Sequence, residues 1–373
     1  MDVLNAAESW ISVTAERRRL VSRTRRAAGL GSVDELRGIG CHCPADLPFH
    51  HVHSESIREG ADLVIDYNSN VEHPNRPQVP LSLLVPFASA LPRGAVVHVK
   101  TDHIDDFVVA MLPALRQPVV LVTGDSDASA VRRHRQLLEH PMIGHWFAQN
   151  CDLDEDHPRL SPIPIGLDNP VYTKFEKRLG FMVDTLAGRS HFDPRFVTND
   201  TGNQRRFNAA AGVARAAIGN KPLRVLCTFH KNHRLTPDIS HLPDRVAAVA
   251  ALRDEPFCHF VERRIPQEEC WRMHADFAFE ASPQGNGMDC FRTWEALALG
   301  TVPIVRTSPL DRLYRGHALP VVIVAEWSEV TPRRLEQWAE ELAPQLGPAR
   351  NKLSAAYWTD LVRTRAAQIR GTD

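Results

Sequence analysis

Groups that manage negative charge converge in one short stretch of this 373-residue sequence. Ser282-Pro-Gln-Gly285-Asn286-Gly287 is turn-rich, and its two glycines allow backbone to come close to a ligand. A helix is expected from Asp289 to Leu299, stopped by Gly300. The unpaired N–H groups and positive dipole end of such a helix form an anion site. Arg292 falls in its first turn and Glu295 one turn later on the same face. A cation gains nothing from the dipole there, and Arg before Glu is the weaker pair orientation. Arg292 therefore suits a phosphate clamp better than helix stabilisation. The plain alternative is a βαβ unit with a surface Arg–Glu pair, and a lone glycine-rich loop does not decide between the two.

A second set is acidic. Asp102 and His103 follow the apolar run 95–100, Asp125-Ser-Asp127 follows 118–123, and Asp168 follows 160–165. In parallel sheets ligands sit beyond the carboxyl ends of strands, so these groups are candidates for an acid–base cluster. Asp125 is the first choice for a general base, then Asp102 and His103. Asp-x-Asp after a hydrophobic strand is also a way to hold a divalent cation on a nucleotide diphosphate. The competing reading makes Asp127 a helix cap and leaves Asp125 in a cleft. Cys41-His-Cys43 and His50-His51-Val-His53 supply soft ligands, but their spacing is neither CxxC nor HxxxH. They read as a histidine-rich loop lining a cleft. No metal is assigned, and a zinc enzyme built on them is a minor alternative.

The elements that would position these groups alternate. Strands are expected at 61–67, 95–100, 118–123, 223–229, 258–261, at Phe277–Ala281, 302–305 and 319–324, with short segments at 145–148 and 160–165. Helices are expected at 107–115, 129–139, 207–218, 243–252, 267–275 and 349–369. Another starts at Thr331-Pro332, a cap followed by proline at the first helical position. Apolar strands alternating with helices specify parallel sheets. The chain is long enough for two domains. Residues 3–28 read as a helix carrying Arg17, Arg18, Arg19, Arg23, Arg25 and Arg26. It is expected to be a solvated helix, with docking to an anionic surface or acidic partner as the sharper alternative.

A formal net charge of −1 gives no reason to expect nucleic acid or a membrane surface as a partner of the whole chain. No run of about 18 apolar residues occurs, and the N-terminus lacks a signal pattern. Seven cysteines at scattered spacing suit free thiols in a reducing compartment. The expected location is the cytoplasm.

The run SPxGxGxDCxRTWEALxLGxxPIV, carried here by Ser282, Pro283, Gly285, Gly287, Asp289, Cys290, Arg292, Trp294, Glu295, Gly300 and Pro303, resembles the C-terminal nucleotide-sugar half of exostosin-type glycosyltransferases. Ser308–Leu310 and Trp327–Glu329 extend it, whereas Phe291 and Gln284 depart from it. The resemblance implies an α/β fold of GT-B type, with two Rossmann-type domains and a cleft between them. We divide the chain into an N-terminal helix (1–30), an acceptor domain (31–205) and a nucleotide-sugar domain (206–373). It further implies sugar transfer from a nucleotide-diphosphate sugar, UDP-sugar favoured, to a glycan or other hydroxyl acceptor, with inversion and no catalytic metal or other cofactor. Lys231, Arg234 and Arg263 then become candidates for the pyrophosphate. Ser282, Gly285, Asn286, Gly287, Asp289 and Arg292 line the donor site, and Glu295 accepts from ribose hydroxyls. The rival class is a nucleotide- or sugar-binding module without catalysis.

Overall fold

A computed structural model describes residues 52, 54–59, 61–65, 88–167, 201–216, 219–229, 242–262 and 265–371. Two five-stranded parallel sheets organise them. The first holds β1 (Leu63–Ile65), β2 (Val96–Lys100), β3 (Val119–Gly124), β4 (Ile143–Ala148) and β5 (Leu160–Pro162), side by side in chain order. A short helix, α1 (Ser54–Glu59), precedes β1.

Period-two alternation sorts the side chains of this sheet into two cores. Val97, Val99, Leu121, Trp146 and Ala148 pack against Ile104, Phe107 and Met111 of the segment after β2. Val96, Val120, Val122 and Phe147 face the other way, into a core shared with the second sheet.

The second sheet contains β6 (Val225–Cys227), β7 (Cys258–Phe260), β8 (Phe279–Ala281), β9 (Val302–Arg306) and β10 (Val322–Val324), in the order β10-β9-β8-β6-β7. Its helices are α2 (Thr201–Ala216), α3 (Pro243–Leu252), α4 (Gln267–Met273), α5 (Phe291–Ala298), α6 (Asp311–Gly316) and α7 (Pro332–Leu342). Helix α2 starts ahead of the expected boundary at 205 and packs on α4, where Phe207 meets Trp271 edge to face at 5.0 Å. Thr331 caps α7 by accepting from the N–H of Arg334 at 3.4 Å, with Pro332 at the first helical position. Gly300 ends α5 at φ +68°, a conformation that favours glycine. Lys221 supplies that end with three hydrogen bonds, to Leu299 O (3.1 Å), Gly300 O (2.6 Å) and Thr301 Oγ1 (3.1 Å).

The last helix, α8 (Ala355–Gly371), crosses back onto β2, β3 and β4 of the first sheet. Two glycines let it lie close. A Cβ at Gly144 would stand 2.7 Å from Ile369 Cδ1, and one at Gly94 2.5 Å from Ala366 O. Arg93 fixes the register by donating to Ile369 O at 2.9 Å. Its Trp358 also meets Trp294 of α5 edge to face at 6.2 Å, so one helix serves both sheets.

Two helical expectations are corrected. Residues 107–115 form a π turn (Phe107–Met111) and then a 3-10 turn, because Pro113 offers no N–H to continue an α-helix. Residues 129–139 form turns and one 3-10 piece, Arg135–Leu138. Neighbours compete for the polar groups of this segment: Arg132 N donates to Asp152 Oδ1 at 2.9 Å, and Arg133 pairs with Asp105 at 2.6 Å.

Candidate functional site

The strand order of the second sheet reverses between β6 and β8. Adjacent chain crossovers leave that point on opposite faces, which opens a crevice beyond the strands' carboxyl ends, the usual ligand position in such sheets. Thr228 and Phe229 follow β6 there, and the run from Ser282 to Gly287 follows β8.

Two arginines meet at this crevice. Arg292 Nη1 donates to Ser282 Oγ at 3.3 Å and to Pro283 O at 3.2 Å, and its guanidinium lies over the Phe229 ring at 5.7 Å. Arg245, from α3, donates through Nε to Gln284 O at 3.3 Å. Burial, and then the charge of Arg292, pull the Arg245 guanidinium below its usual value. Among the described residues no carboxylate forms an ion pair with either arginine. Two guanidiniums held together at the start of α5 repel each other until an anion sits between them. Arg245 was not anticipated as a site residue. Its only sequence signal is a cation immediately before the apolar run 246–252.

The glycines also make room within the protein itself. A Cβ at Gly285 would stand 2.9 Å from Arg245 Nη2, and one at Gly287 2.9 Å from Asn150 Nδ2 and 3.1 Å from Asp127 O. Gly285 thus makes room for the second arginine, and Gly287 for the first domain. Asn286 Nδ2 reaches Asp127 Oδ2 at 3.4 Å.

Asp289 precedes α5, which begins at Phe291 with Cys290 as its cap. It is a buried strap between domains. Its Oδ2 accepts from Ile165 N at 2.8 Å, both carboxylate oxygens accept from Trp294 Nε1 at 2.9 and 3.0 Å, and its N–H donates to Asn150 Oδ1 at 2.8 Å. Burial pushes its carboxyl up to about 6, against the pull of those hydrogen bonds. Both oxygens of this carboxylate are therefore engaged within the protein. Glu295, expected to share a face with Arg292, is buried and accepts from Gln267 Nε2 at 3.2 Å.

On the facing rim, the acids past β2 and β3 are brought together but differ in state. Asp125, at φ +58°, is ion-paired at 2.7 Å with Arg58, which is 1% exposed. Arg58 went unnoticed in the sequence because an arginine in SESIRE carries no sign of burial. Its guanidinium supplies the Asp125 carboxylate with a positive partner from within the protein. His103 is buried, and desolvation followed by the charge of Lys100 lowers it to about 4. Asp102 is exposed and accepts from Ser126 Oγ at 3.0 Å. Ser126 adjoins Asp127, whose carboxylate receives Asn286, so Asp102 stands on the rim that faces the glycine loop.

Below the crevice lies a buried chain of polar groups. Thr228 Oγ1 donates to Glu280 Oε1 at 2.6 Å, Glu280 Oε2 lies 2.8 Å from His274 Nε2, and His274 Nδ1 lies 3.0 Å from Cys270 O. Nothing in the sequence marked it beyond a glutamate inside the apolar strand FEA.

Lys231, Arg234, Arg263, Asp168 and the cluster Cys41, Cys43, His50, His51 and His53 lie outside the described residues, as does the basic segment 1–30. Among the described residues no group of three or more His, Cys, Asp or Glu side chains is placed to hold a metal ion. No described helix is long and apolar enough to cross a membrane.

No protein-family model matches the chain, and no curated protein does. Among solved structures, the crystal structure of a GtfA/B complex is similar at 12% identity and a TM-score of 0.36, over 79% of this chain. The chain covers 62% of that chain, under two thirds of its length.

Proposed function

We propose that this protein is a glycosyltransferase that takes a sugar from a nucleotide-diphosphate sugar. The observation that carries the reading is the Arg245–Arg292 pair, which lacks a carboxylate partner among the described residues and lies at the strand-order reversal of a parallel sheet. The resemblance of Ser282–Pro303 to the donor half of exostosin-type enzymes supports the same substrate class. The diphosphate binds between the two guanidiniums and the first N–H groups of α5. As the glycosidic C–O bond breaks, negative charge grows on the leaving phosphate oxygen, and the arginines stabilise it as a metal would in other transferases. Ser282 holds Arg292 in place through its hydroxyl.

The acceptor hydroxyl attacks the anomeric carbon from the side of the first domain and gives its proton to a carboxylate there. Of the three candidates, Asp125 is held by Arg58 and His103 is buried. Asp102 is the exposed one, and we assign it the base. UDP-sugar is the favoured donor and inversion the expected outcome, both on the strength of the resemblance.

The test is a thermal-shift series with UDP in EDTA or magnesium, joined to turnover with UDP-sugars. UDP should stabilise the wild type equally in both, and neither Arg245→Met nor Arg292→Met should respond. Turnover by Arg292→Met should fall roughly 10²–10³-fold with the fold intact. Near-normal turnover of that variant, or stabilisation only with magnesium, overturns the arginine clamp. Absence of UDP-sugar hydrolysis and transfer in a protein that binds UDP leaves a binding module.

A further inference from the structure

The buried chain below the crevice dictates what Thr228 can offer a ligand. A carbonyl oxygen only accepts, so His274 Nδ1 carries a proton and donates it to Cys270 O. The 2.8 Å approach of His274 Nε2 to Glu280 Oε2 needs one proton between them, whichever atom owns it. Both residues are 1% exposed, so no water intervenes to relax this requirement. That places a bare lone pair on Glu280 Oε1 in either protonation state. Thr228 must therefore donate its only hydroxyl proton to Glu280, over the short distance of 2.6 Å. What remains at Thr228 Oγ1 is acceptor capacity alone.

Thr228 is half-buried and is the first residue beyond β6, beside Phe229 and hence beside the ring on which Arg292 rests. We propose that Thr228 is a specificity residue that accepts a hydrogen bond from the nucleoside part of the donor, either the ribose 2′-hydroxyl or an imide N–H. This inference rests on the donor site proposed above. An acceptor-only oxygen repels phosphate oxygens, so it keeps the diphosphate on the arginine side. It also rejects any ligand that presents a bare acceptor at that point, because two facing lone pairs leave both groups unsatisfied. The orientation originates at a backbone carbonyl and passes through two buried side chains, so no rotation of the Thr228 hydroxyl can reverse it without breaking the Glu280 contact.

The experiment measures the affinity of the full chain for pyrophosphate, UDP, 2′-deoxy-UDP and N3-methyl-UDP, in the wild type, Thr228→Ser and Thr228→Val. The ligand series on wild-type protein needs no variant to fold. One of the two modified nucleotides should bind about tenfold more weakly than UDP, and which one it is identifies the hydroxyl or the imide as the partner. Thr228→Ser should bind all four ligands as the wild type does. Thr228→Val should lose about tenfold for UDP, lose the discrimination against the modified nucleotide, and keep pyrophosphate affinity, which also reports that it is folded. If both modified nucleotides bind as tightly as UDP, or if Thr228→Val loses pyrophosphate and UDP alike, the assignment to Thr228 is overturned. If the wild type binds neither pyrophosphate nor UDP, the donor-site reading fails and takes this inference with it.

Discussion

Asp289 separates two uses of one residue type. Just past a glycine loop it reads as part of an anion site, yet its three acceptor contacts bind Ile165 of one domain and Trp294 of the other. Removing the carboxylate leaves the Ile165 N–H and the Trp294 indole N–H buried without a partner, at roughly 1–3 kcal/mol for each. Asp289→Ala should therefore lose several kcal/mol in urea denaturation. Asp289→Asn keeps one acceptor oxygen and turns an N–H₂ towards a donor, so it should fall between Ala and the wild type. A ligand role for Asp289 would instead lower affinity at constant stability, and a stable Asp289→Ala would remove the strap. Arg245 and Arg292 differ from Asp289: burial and the neighbouring charge lower Arg245, and neither arginine has a carboxylate ion-pair partner among the described residues.

At the scale of elements, the loop between β8 and α5 has two glycines that differ in what they face. Neither has a positive φ, so both are required by close approach rather than by backbone conformation. A methyl at Gly285 meets the far end of Arg245, a side chain that can swing, whereas one at Gly287 meets backbone at Asp127 O and the engaged amide of Asn150. Gly285→Ala should fold normally and bind UDP more weakly. Gly287→Ala should push the two domains apart, with a lower melting temperature and a larger radius of gyration by small-angle scattering. Equal behaviour of the two variants would contradict this division. The same loop shows what was legible in the sequence. Strand β8, helix α5 and its Gly300 stop were readable because alternation, helical period and a positive-φ glycine are local signals. Arg245, Arg58 and the Thr228–Glu280–His274 chain were not, because each acquires its meaning from a partner 39 to 67 residues away or from burial that composition does not encode. Asp125 was placed correctly past β3, but its pairing with Arg58 needed the fold.

At the scale of the molecule, the two sheets share one core through α8, and several histidines have been taken into it or beside it. His98 and His145 are lowered to about 3, and His103 and His317 to about 4, in each case chiefly by desolvation. Nearby positive charges add to this: Arg58 at His98, Lys100 at His103, Arg365 at His145 and Lys352 at His317. The folded chain keeps these rings neutral while the unfolded chain protonates them near 6.5. The unfolded state thus binds more protons between pH 6.5 and about 3, and stability falls as pH falls through that window. Asp289 acts in the opposite sense, because its carboxyl is raised to about 6, so its penalty is present above that pH and disappears as the pH drops. One carboxyl cannot offset four rings. Urea denaturation should show stability nearly flat from pH 8 to 7 with respect to these rings, then a steep decline, with a limiting slope of about 1.4 kcal/mol per pH unit for each fully buried histidine. His145 gives the cleanest single test, since its Nε2 already lies 3.0 Å from Ser161 Oγ and glutamine can keep that contact without titrating. His145→Gln should flatten the decline between pH 6 and 4 by one histidine's share and leave stability at pH 8 within about 1 kcal/mol of the wild type. An unchanged slope would mean that His145 protonates in the folded chain as readily as in the unfolded one, contrary to its burial against Phe147 and beneath α8.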